Sequence, residues 1–155
     1  MVLFLNQMRR KTSKYSLYDS IGYLTHQASG SIRKGISREL ARRGYPIKAE
    51  QFSTLVYLWD QEGQSQRELG EKLYRDKTTV TRLVATLESM GFVKRVAGSD
   101  DAREKRIFLT EKGQKLMAGA TQAVQDVLNL AQNGIEPRAM AICKDVLRRL
   151  RQNLA

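Results

Sequence analysis

The stretch that decides the fold is DKTTVTRLVATLESMGFVKR, residues 76–95. It opens with an aspartate that can cap a helix, and Gly91 ends the helix before a short β-branched, basic strand. On a wheel of 3.6 residues per turn, one face of this helix is aliphatic and carries Val80, Leu83, Val84 and Leu87. The opposite face is small, hydroxylated or cationic and carries Thr78, Arg82, Ala85 and Ser89, flanked by Thr81 and Thr86. The first face predicts packing on other helices, and the second is free for a partner.

The second face has the properties that a helix needs in the DNA major groove. Small residues let the backbone approach, hydroxyls bond phosphates or base edges, and an arginine can bind guanine through two hydrogen bonds. The helix start, with Lys77, is placed to meet a phosphate, and Glu88 lies toward the far end. An ordinary amphipathic surface helix fits the same pattern, although four threonines favour contact over helix stability. The predicted DNA-contacting residues of this helix are Lys77, Thr78, Thr79, Thr81, Arg82 and Thr86.

Helical patterns also precede this stretch. Ser16 with Asp19 resembles a capping box and predicts the start of a long helix that Gly44 and Pro46 end. Its apolar residues are mostly four apart, at Leu17, Ile21, Leu24, Ala28, Ile32, Ile36 and Leu40. A second helix is predicted from Ala49 to Asp60, with one apolar face formed by Phe52, Leu55, Val56 and Trp59.

The rest of the pattern predicts a helix-turn-helix followed by a β-hairpin. The S-x-x-E motif at 65–68 opens a short helix through Leu73, directly before the decisive stretch. Residues 93–96 and 106–109 read as two strands joined by a charged loop. Thr110 caps a further helix, and Pro137 starts a last helix with an apolar stripe of Met140, Cys143, Val146, Leu147, Leu150 and Leu154. The predicted fold is mainly α with a small β-hairpin wing, a winged helix-turn-helix.

Composition and charge limit the classes of partner and cofactor that the protein is expected to bind. The net charge of +11 favours a polyanion as partner, with nucleic acid first and an anionic membrane surface second, but composition alone fits a merely soluble basic protein equally well. One cysteine and one histidine exclude an internal disulfide and an ordinary structural zinc site, so we predict no metal and no cofactor. We find no secretory signal and no apolar run long enough to span a membrane, which predicts a cytoplasmic protein without membrane contact.

These residues together resemble the MarR (multiple antibiotic resistance regulator) family of bacterial winged-helix transcription factors. The resemblance runs through 76–95, the D-A-R of the wing at 101–103 and RIFLTEKG at 106–113, and it covers nearly the whole chain from Ser16. It implies a homodimer whose N- and C-terminal helices interleave and whose winged domains bind a pseudo-palindromic duplex. A departure is Lys48, where many members have a threonine cap before the second helix.

The resemblance also assigns roles and boundaries. Arg103 would enter the minor groove with Lys105 close by, and Asp101 would stabilise the wing. From the residues alone, the ion-pair partner of a wing aspartate is either Arg95 or Arg103. The implied segments are a basic arm at 1–15, an N-terminal dimerisation helix at 16–46, the winged helix-turn-helix at 47–112 and C-terminal dimerisation helices at 113–155. The arm either adds phosphate contacts or is a solubilising tail; both readings stay open.

An effector is the next expectation. Family members release DNA when a phenolic or aromatic carboxylate binds, or when a cysteine is oxidised. The candidate ligand residues are Tyr23, His26, Tyr57 and Trp59, although core or interface packing is the stronger interpretation of each. Cys143 lies on an apolar stripe, where a buried thiol reacts slowly, so we predict packing rather than redox sensing.

Other classes have less support. An enzyme would need a pair such as Cys143 and His26, which share no motif, and phosphate-cradling glycine loops are absent from the sequence. The alternative is a winged-helix protein-interaction module without DNA binding. Such modules typically lose the cations and hydroxyls that this helix retains. The sequence therefore predicts a DNA-binding transcriptional regulator, a repressor relieved by a small aromatic or phenolic effector, and not an enzyme.

Overall fold

The computed structural model describes residues 16–98 and 105–154, and in these residues it contains six α-helices and a three-stranded antiparallel sheet. The helices are α1 (Ile21–Arg42), α2 (Ala49–Asp60), α3 (Gln66–Leu73), α4 (Lys77–Ser89), α5 (Glu111–Gln132) and α6 (Pro137–Asn153). The strands are β1 (Gln64–Ser65), β2 (Val93–Ala97) and β3 (Lys105–Leu109). This architecture confirms the predicted class, and the bounds of α2 agree with the sequence pattern.

The first helix begins later than predicted. Ser16 makes no side-chain capping bond, and residues Leu17–Asp19 form a single 3₁₀ turn. Ser20 is extended, which interrupts the helical backbone, and its Oγ accepts a hydrogen bond from the Tyr23 N–H at 3.3 Å. The cap of α1 is therefore Ser20, because its hydroxyl and not that of Ser16 bonds an N–H of the first turn.

The sheet has one strand more than the predicted hairpin. The pairing of β2 with β3 is as expected, with Arg95 opposite Ile107. On its other side β3 pairs with β1, where Gln64 lies opposite Ile107 and Ser65 opposite Arg106. Two polar residues carry no alternating apolar pattern, so the sequence gives no sign of β1. This short strand anchors the wing to the chain segment that precedes α3.

The core lies where α2, α4 and the sheet meet. The aliphatic face of α4 is buried as predicted. On α2 the predicted face is only partly right: Phe52 and Leu55 are buried, but the stripe continues to Leu58, while Val56 and Trp59 are 39% and 53% exposed. The spacing 52, 55, 58 follows the side of the helix that meets the core, and Trp59 lies one residue beyond it.

The C-terminal half of α1 packs on α5. Gly35 makes this approach close, because a Cβ at this position would lie 3.1 Å from the Val127 Cγ1. Arg43 Nη2 binds Asp126 Oδ2 at 2.5 Å, and Arg43 and Arg42 both bind Glu39. These two arginines lower the pKa of the Glu39 carboxyl to about 2, with the Arg42 hydrogen bond as the largest cause.

The apolar stripe of α6 is not covered within one chain. None of its residues is buried; Ile142, Val146 and Leu147 are 57%, 43% and 42% exposed. Cys143 is also exposed, so the burial expected for this thiol is not found within the single chain. The N-terminal half of α1 is similar, with Ile21 and Leu24 about half exposed. Two ends of the fold therefore present apolar surface to their surroundings.

Candidate nucleic-acid interface

Asp76 fixes the start of α4. Its Oδ1 accepts a hydrogen bond from the Thr79 N–H at 2.9 Å and its Oδ2 accepts one from the Thr79 hydroxyl at 2.8 Å. These bonds, the backbone one first, lower the pKa of the Asp76 carboxyl below its usual range. Thr79, predicted to contact DNA, is half-buried and holds this cap. The Asp76 carboxylate therefore occupies the start of α4, beside the exposed Lys77.

The predicted contact face of α4 is exposed. Lys77, Thr78, Thr81 and Arg82 are exposed, as are Ala85 and Ser89, while Thr86 is half-buried. Arg82 and Lys77 make no ion pair with any carboxylate in residues 16–98 or 105–154. A guanidinium without an acidic partner retains its five donors for a phosphate or a guanine edge. The structure therefore places the sequence-predicted residues of this helix on one accessible surface, except for Thr79 and the partly covered Thr86.

Two threonine hydroxyls on this face donate to the helix itself. Thr81 Oγ1 donates to the Lys77 carbonyl at 2.8 Å, and Thr86 Oγ1 donates to the Arg82 carbonyl at 2.9 Å. Because these hydroxyl protons are used within the helix, each oxygen can act toward a partner only as an acceptor, and Thr81 Oγ1 already accepts one hydrogen bond from Gln66. These residues therefore suit base amino groups and thymine methyls better than phosphate oxygens, which require a donor.

A side-chain network joins α4 to α3 and to the wing. Gln66 Nε2 donates to Thr81 Oγ1 at 2.9 Å, and Gln66 Oε1 accepts from Arg95 Nη2 at 3.2 Å. Arg95 also forms an ion pair with Glu88 near the end of α4. The observed partners of Arg95 are thus Glu88 and Gln66, and this pairing neutralises the acid of the recognition surface. Sequence reasoning missed Gln66; its only signal was its position directly after the capping Ser65.

The wing is described only at its base. Asp101 and Arg103, the predicted wing-stabilising acid and minor-groove arginine, lie outside the described residues. Lys105 is exposed at the first residue of β3. The neighbouring Arg106 Nη1 donates to Glu68 Oε2 at 3.0 Å and to the Gly63 carbonyl at 3.3 Å, which connects β3 to the start of α3.

A groove runs beside the start of α4. It encloses about 610 Å³ and is lined by residues of α3 and of the turn, among them Arg67, Tyr74, Arg75 and Lys77. Tyr74 ends α3 in the left-handed region with φ +52° and is 74% exposed. The lining also contains Glu71, which pairs with Arg67, and Arg75 pairs with Glu50, so Lys77 is the cation of this groove without a described carboxylate partner. The sequence analysis did not single out Arg67 or Tyr74.

The four candidate ligand residues do not share one cleft. Tyr57 lines a cleft of about 250 Å³ whose other lining residues are Arg33, Glu50, Ser53, Lys72, Leu73, Tyr74, Arg75 and Leu83. Glu50, the acid of this lining, is paired with Arg75. Tyr23 packs edge-on against Tyr18, with ring centroids 5.2 Å apart, and His26 and Trp59 are exposed. Only the Tyr57 position combines an aromatic ring, apolar walls and cations. In the described residues no helix is long and apolar enough to cross a membrane, and no three potential metal ligands cluster.

The order of α2, α3, α4 and a three-stranded wing, with the α4 contact face exposed, defines a winged helix-turn-helix protein. Residues 47–105 match the family model described as "MarR family", and this segment contains α2 to α4 and the wing. Over this segment the chain is similar to the MarR family. Its relatives and structural neighbours are transcriptional regulators and not enzymes.

Individual relatives support this assignment. The HTH-type transcriptional regulator TtmR of Methylorubrum extorquens is 42% identical over 101 residues, which span 65% of this chain and 51% of TtmR. The organic hydroperoxide resistance transcriptional regulator of Bacillus subtilis is 27% identical over 129 residues, 83% of this chain and 86% of that protein. The crystal structure of CouR from Rhodococcus jostii RHA1 bound to p-coumaroyl-CoA superposes with a TM-score of 0.75 at 28% identity, covering 89% of this chain and 95% of CouR.

Proposed function

We propose that the protein is a sequence-specific DNA-binding repressor that acts as a homodimer. The observation that carries this proposal is the exposed α4 face, on which Thr78, Arg82 and Lys77 stand free while the only acid of the helix is paired with Arg95. A protein-interaction module would have no need for cations on this surface. An acid-poor surface with an unpaired arginine matches the major groove.

A homodimer follows from the uncovered apolar surface. In a dimer, the stripe of α6 and the start of α1 would bury their exposed side chains against the same elements of a second copy. These elements lie in the two segments assigned to dimerisation, 16–46 and 113–155. Two winged domains, residues 47–112, would then face successive major grooves. Replacing Val146 and Leu147 by aspartate should give a monomer in analytical ultracentrifugation, whereas aspartate at exposed Lys94 on β2, outside both dimerisation segments, should leave the dimer intact. A dimer that survives the first change would contradict this interface.

The effector site that we propose is the cleft at Tyr57. Arg33 and Lys72 supply positive charge, and Leu73, Leu83 and the Tyr57 ring supply apolar contact. This combination suits a small aromatic or phenolic carboxylate. The aromatic acyl group bound by CouR is consistent with such a ligand. The proposed dimer would have two states that differ in the separation of the winged domains. A ligand that binds one state more tightly than the other would shift the population toward it, and the DNA affinity would change by up to the ligand's free-energy preference. The proposed location of the protein is the cytoplasm.

An electrophoretic mobility shift on the DNA upstream of the protein's own gene tests the proposal. We expect a discrete complex that unlabelled specific duplex displaces and that Arg82→Ala weakens. The control is Arg42→Ala, which removes the same charge at the end of α1 and should leave the shift unchanged. Equal binding to unrelated duplex, or no binding at all, would favour the protein-interaction module instead.

A further inference from the structure

A second cleft, more basic than the one at Tyr57, lies between α1 and the start of α2. It encloses about 590 Å³, and its charged and polar walls are formed by Arg33, Lys34, Ser37, Arg38, Lys48 and Glu50. We propose that this cleft binds the phosphate groups of a small phosphorylated molecule. Such a site is distinct from the DNA surface of α4 and from the aromatic cleft.

The charge of the cleft is uncompensated. Arg33, Lys34, Arg38 and Lys48 form no ion pair with a carboxylate in the described parts of the chain. The single acid of the lining, Glu50, binds Arg75 Nη2 at 2.8 Å and so is turned to another cation. Four like charges around a concave surface focus a positive potential there, which a multiply charged anion relieves.

One neutral donor in the same cleft, the Ser37 hydroxyl, suits a phosphate oxygen. Ser37 Oγ accepts a hydrogen bond from the Ala49 N–H at 3.0 Å, which leaves the hydroxyl proton free to donate. This contact caps α2 from a neighbouring helix, because Lys48 at the cap position offers no acceptor. The Lys48 N–H is already bound to Gln51 Oε1 at 2.8 Å. The positive end of the α2 dipole therefore adds to four side-chain cations in one place.

The shape of the cleft favours a small molecule over a DNA backbone. Its volume lies in the range of small-ligand pockets, roughly 300–1,000 Å³. Its walls come from α1 and from the start of α2, whereas the proposed DNA contacts lie on a different helix, α4. Arg33 lines this cleft and the Tyr57 cleft alike, so one ligand could place an aromatic group in one and a phosphate in the other. The idea of one ligand spanning both clefts rests on the proposed effector site at Tyr57. Phosphate binding in the basic cleft does not depend on that site.

Isothermal titration calorimetry of the full chain with inorganic pyrophosphate tests the site without DNA. The cleft variant is Arg38→Gln with Lys48→Gln, and the matched control is Arg42→Gln with Lys115→Gln. Both pairs consist of exposed residues and both remove two positive charges. We expect the cleft variant to bind pyrophosphate at least about tenfold more weakly than the wild type, and the control to change by less than about twofold.

Two sets of results would overturn the proposal. No heat of binding from wild type at millimolar pyrophosphate, or equal weakening in both variants, would mean that the cleft is only part of a diffuse positive surface. Unchanged pyrophosphate binding in the cleft variant together with weaker DNA binding than the control would assign these cations to the DNA backbone. If the protein binds pyrophosphate but gives no mobility shift with DNA, the phosphate site is supported and only the proposed DNA function is contradicted.

Discussion

Arg82 is the strongest single candidate for a DNA contact. It is exposed, has no ion-pair partner among the described carboxylates, and stands on α4 between Thr78 and Thr86. Most of these positions could be predicted from the sequence because a helical wheel separates apolar from polar faces. What the sequence could not predict is how the hydroxyls are used: Thr79 holds the Asp76 cap, and Thr81 and Thr86 donate to backbone carbonyls. Which hydroxyls bond within the protein depends on the side-chain rotamers, and the apolar periodicity of the sequence does not determine those rotamers.

Replacing Arg82 by alanine should weaken binding to the specific duplex by about 1–3 kcal/mol and relax the preference at one base position, since a bidentate base contact would be lost. Fluorescence anisotropy at fixed salt, with the specific duplex and single-base variants of it, measures both effects. Arg42→Ala serves as the charge-matched control. A uniform loss on all duplexes would make Arg82 a phosphate contact, and wild-type affinity would remove it from the interface.

Gly113 is a second residue with a defined role, in the RIFLTEKG motif. A Cβ here would lie 2.1 Å from the Phe92 carbonyl oxygen, so α5 can pass this close to the start of β2 only with glycine. Gly113→Ala should lower the free energy of unfolding by about 1–3 kcal/mol or more in urea denaturation. Gly30→Ala is the control, because a Cβ at Gly30 meets no atom within 4 Å and alanine favours the helix. Equal stability of the two variants would contradict this packing.

At the scale of elements, the wing and α4 are joined through Arg95. The sequence predicted the β2–β3 hairpin and α4 separately, but not the network of Gln66, Thr81, Arg95 and Glu88 that connects them. Its members lie up to 29 positions apart, and local patterns contain no information on such contacts. The strand β1 was missed for a related reason, since its pairing with β3 is set by tertiary structure and not by its own two residues.

The Arg95–Glu88 pair should show a measurable coupling. The side chains are 20% and 38% exposed, and pairs of this exposure contribute up to about 1 kcal/mol. A double-mutant cycle with Arg95→Ala and Glu88→Ala, followed by urea unfolding, should give a coupling free energy of about 0.5–1 kcal/mol. A cycle between Arg95 and Glu111, which pairs with Lys115 instead, should give none. Additive losses in the first cycle would mean that the pair does not join the wing to α4.

Acid should destabilise the fold through carboxylates at helix ends. The pKa of the Asp76 carboxyl is lowered by Thr79, that of Glu68 by the hydrogen bond from the Ser65 N–H, and that of Glu39 to about 2 by Arg42 and Arg43. Groups with a depressed folded-state pKa stabilise the protein above their unfolded pKa, and this contribution is lost as the pH falls through the folded value. Stability should therefore be steady from pH 7 to about 5 and decline toward pH 2.

Urea midpoints across this pH range measure the decline. Asp76→Asn keeps a side chain that caps well but does not titrate, so its variant should lose less stability between pH 5 and 2 than the wild type. Asp60→Asn, an exposed position at the end of α2, is the control and should leave the pH dependence unchanged. An Asp76→Asn curve parallel to that of the wild type would rule out the cap as a source of acid sensitivity.

At the scale of the whole molecule, the sequence predicted the fold class and the order of helices, but a single chain leaves α6 without a buried residue. Amphipathic spacing shows that a face must be covered, not which molecule covers it. The same limit holds for the ligand residues, since four aromatic or polar side chains on α1 and α2 proved to point in different directions and only Tyr57 lines the proposed cleft. Basic residues of α1 and Lys48 meet in one cleft because two helices cross there, which no linear pattern reveals.

The central claim is that a symmetric pair of chains presents two α4 helices to one face of a duplex. Selection of bound sequences from a random duplex library by the full chain tests it most directly. The account predicts an inverted repeat with half-site centres about 10–10.5 base pairs apart, and loss of that enrichment with Arg82→Ala. Enrichment of a single half-site, of direct repeats, or of no sequence at all would contradict it.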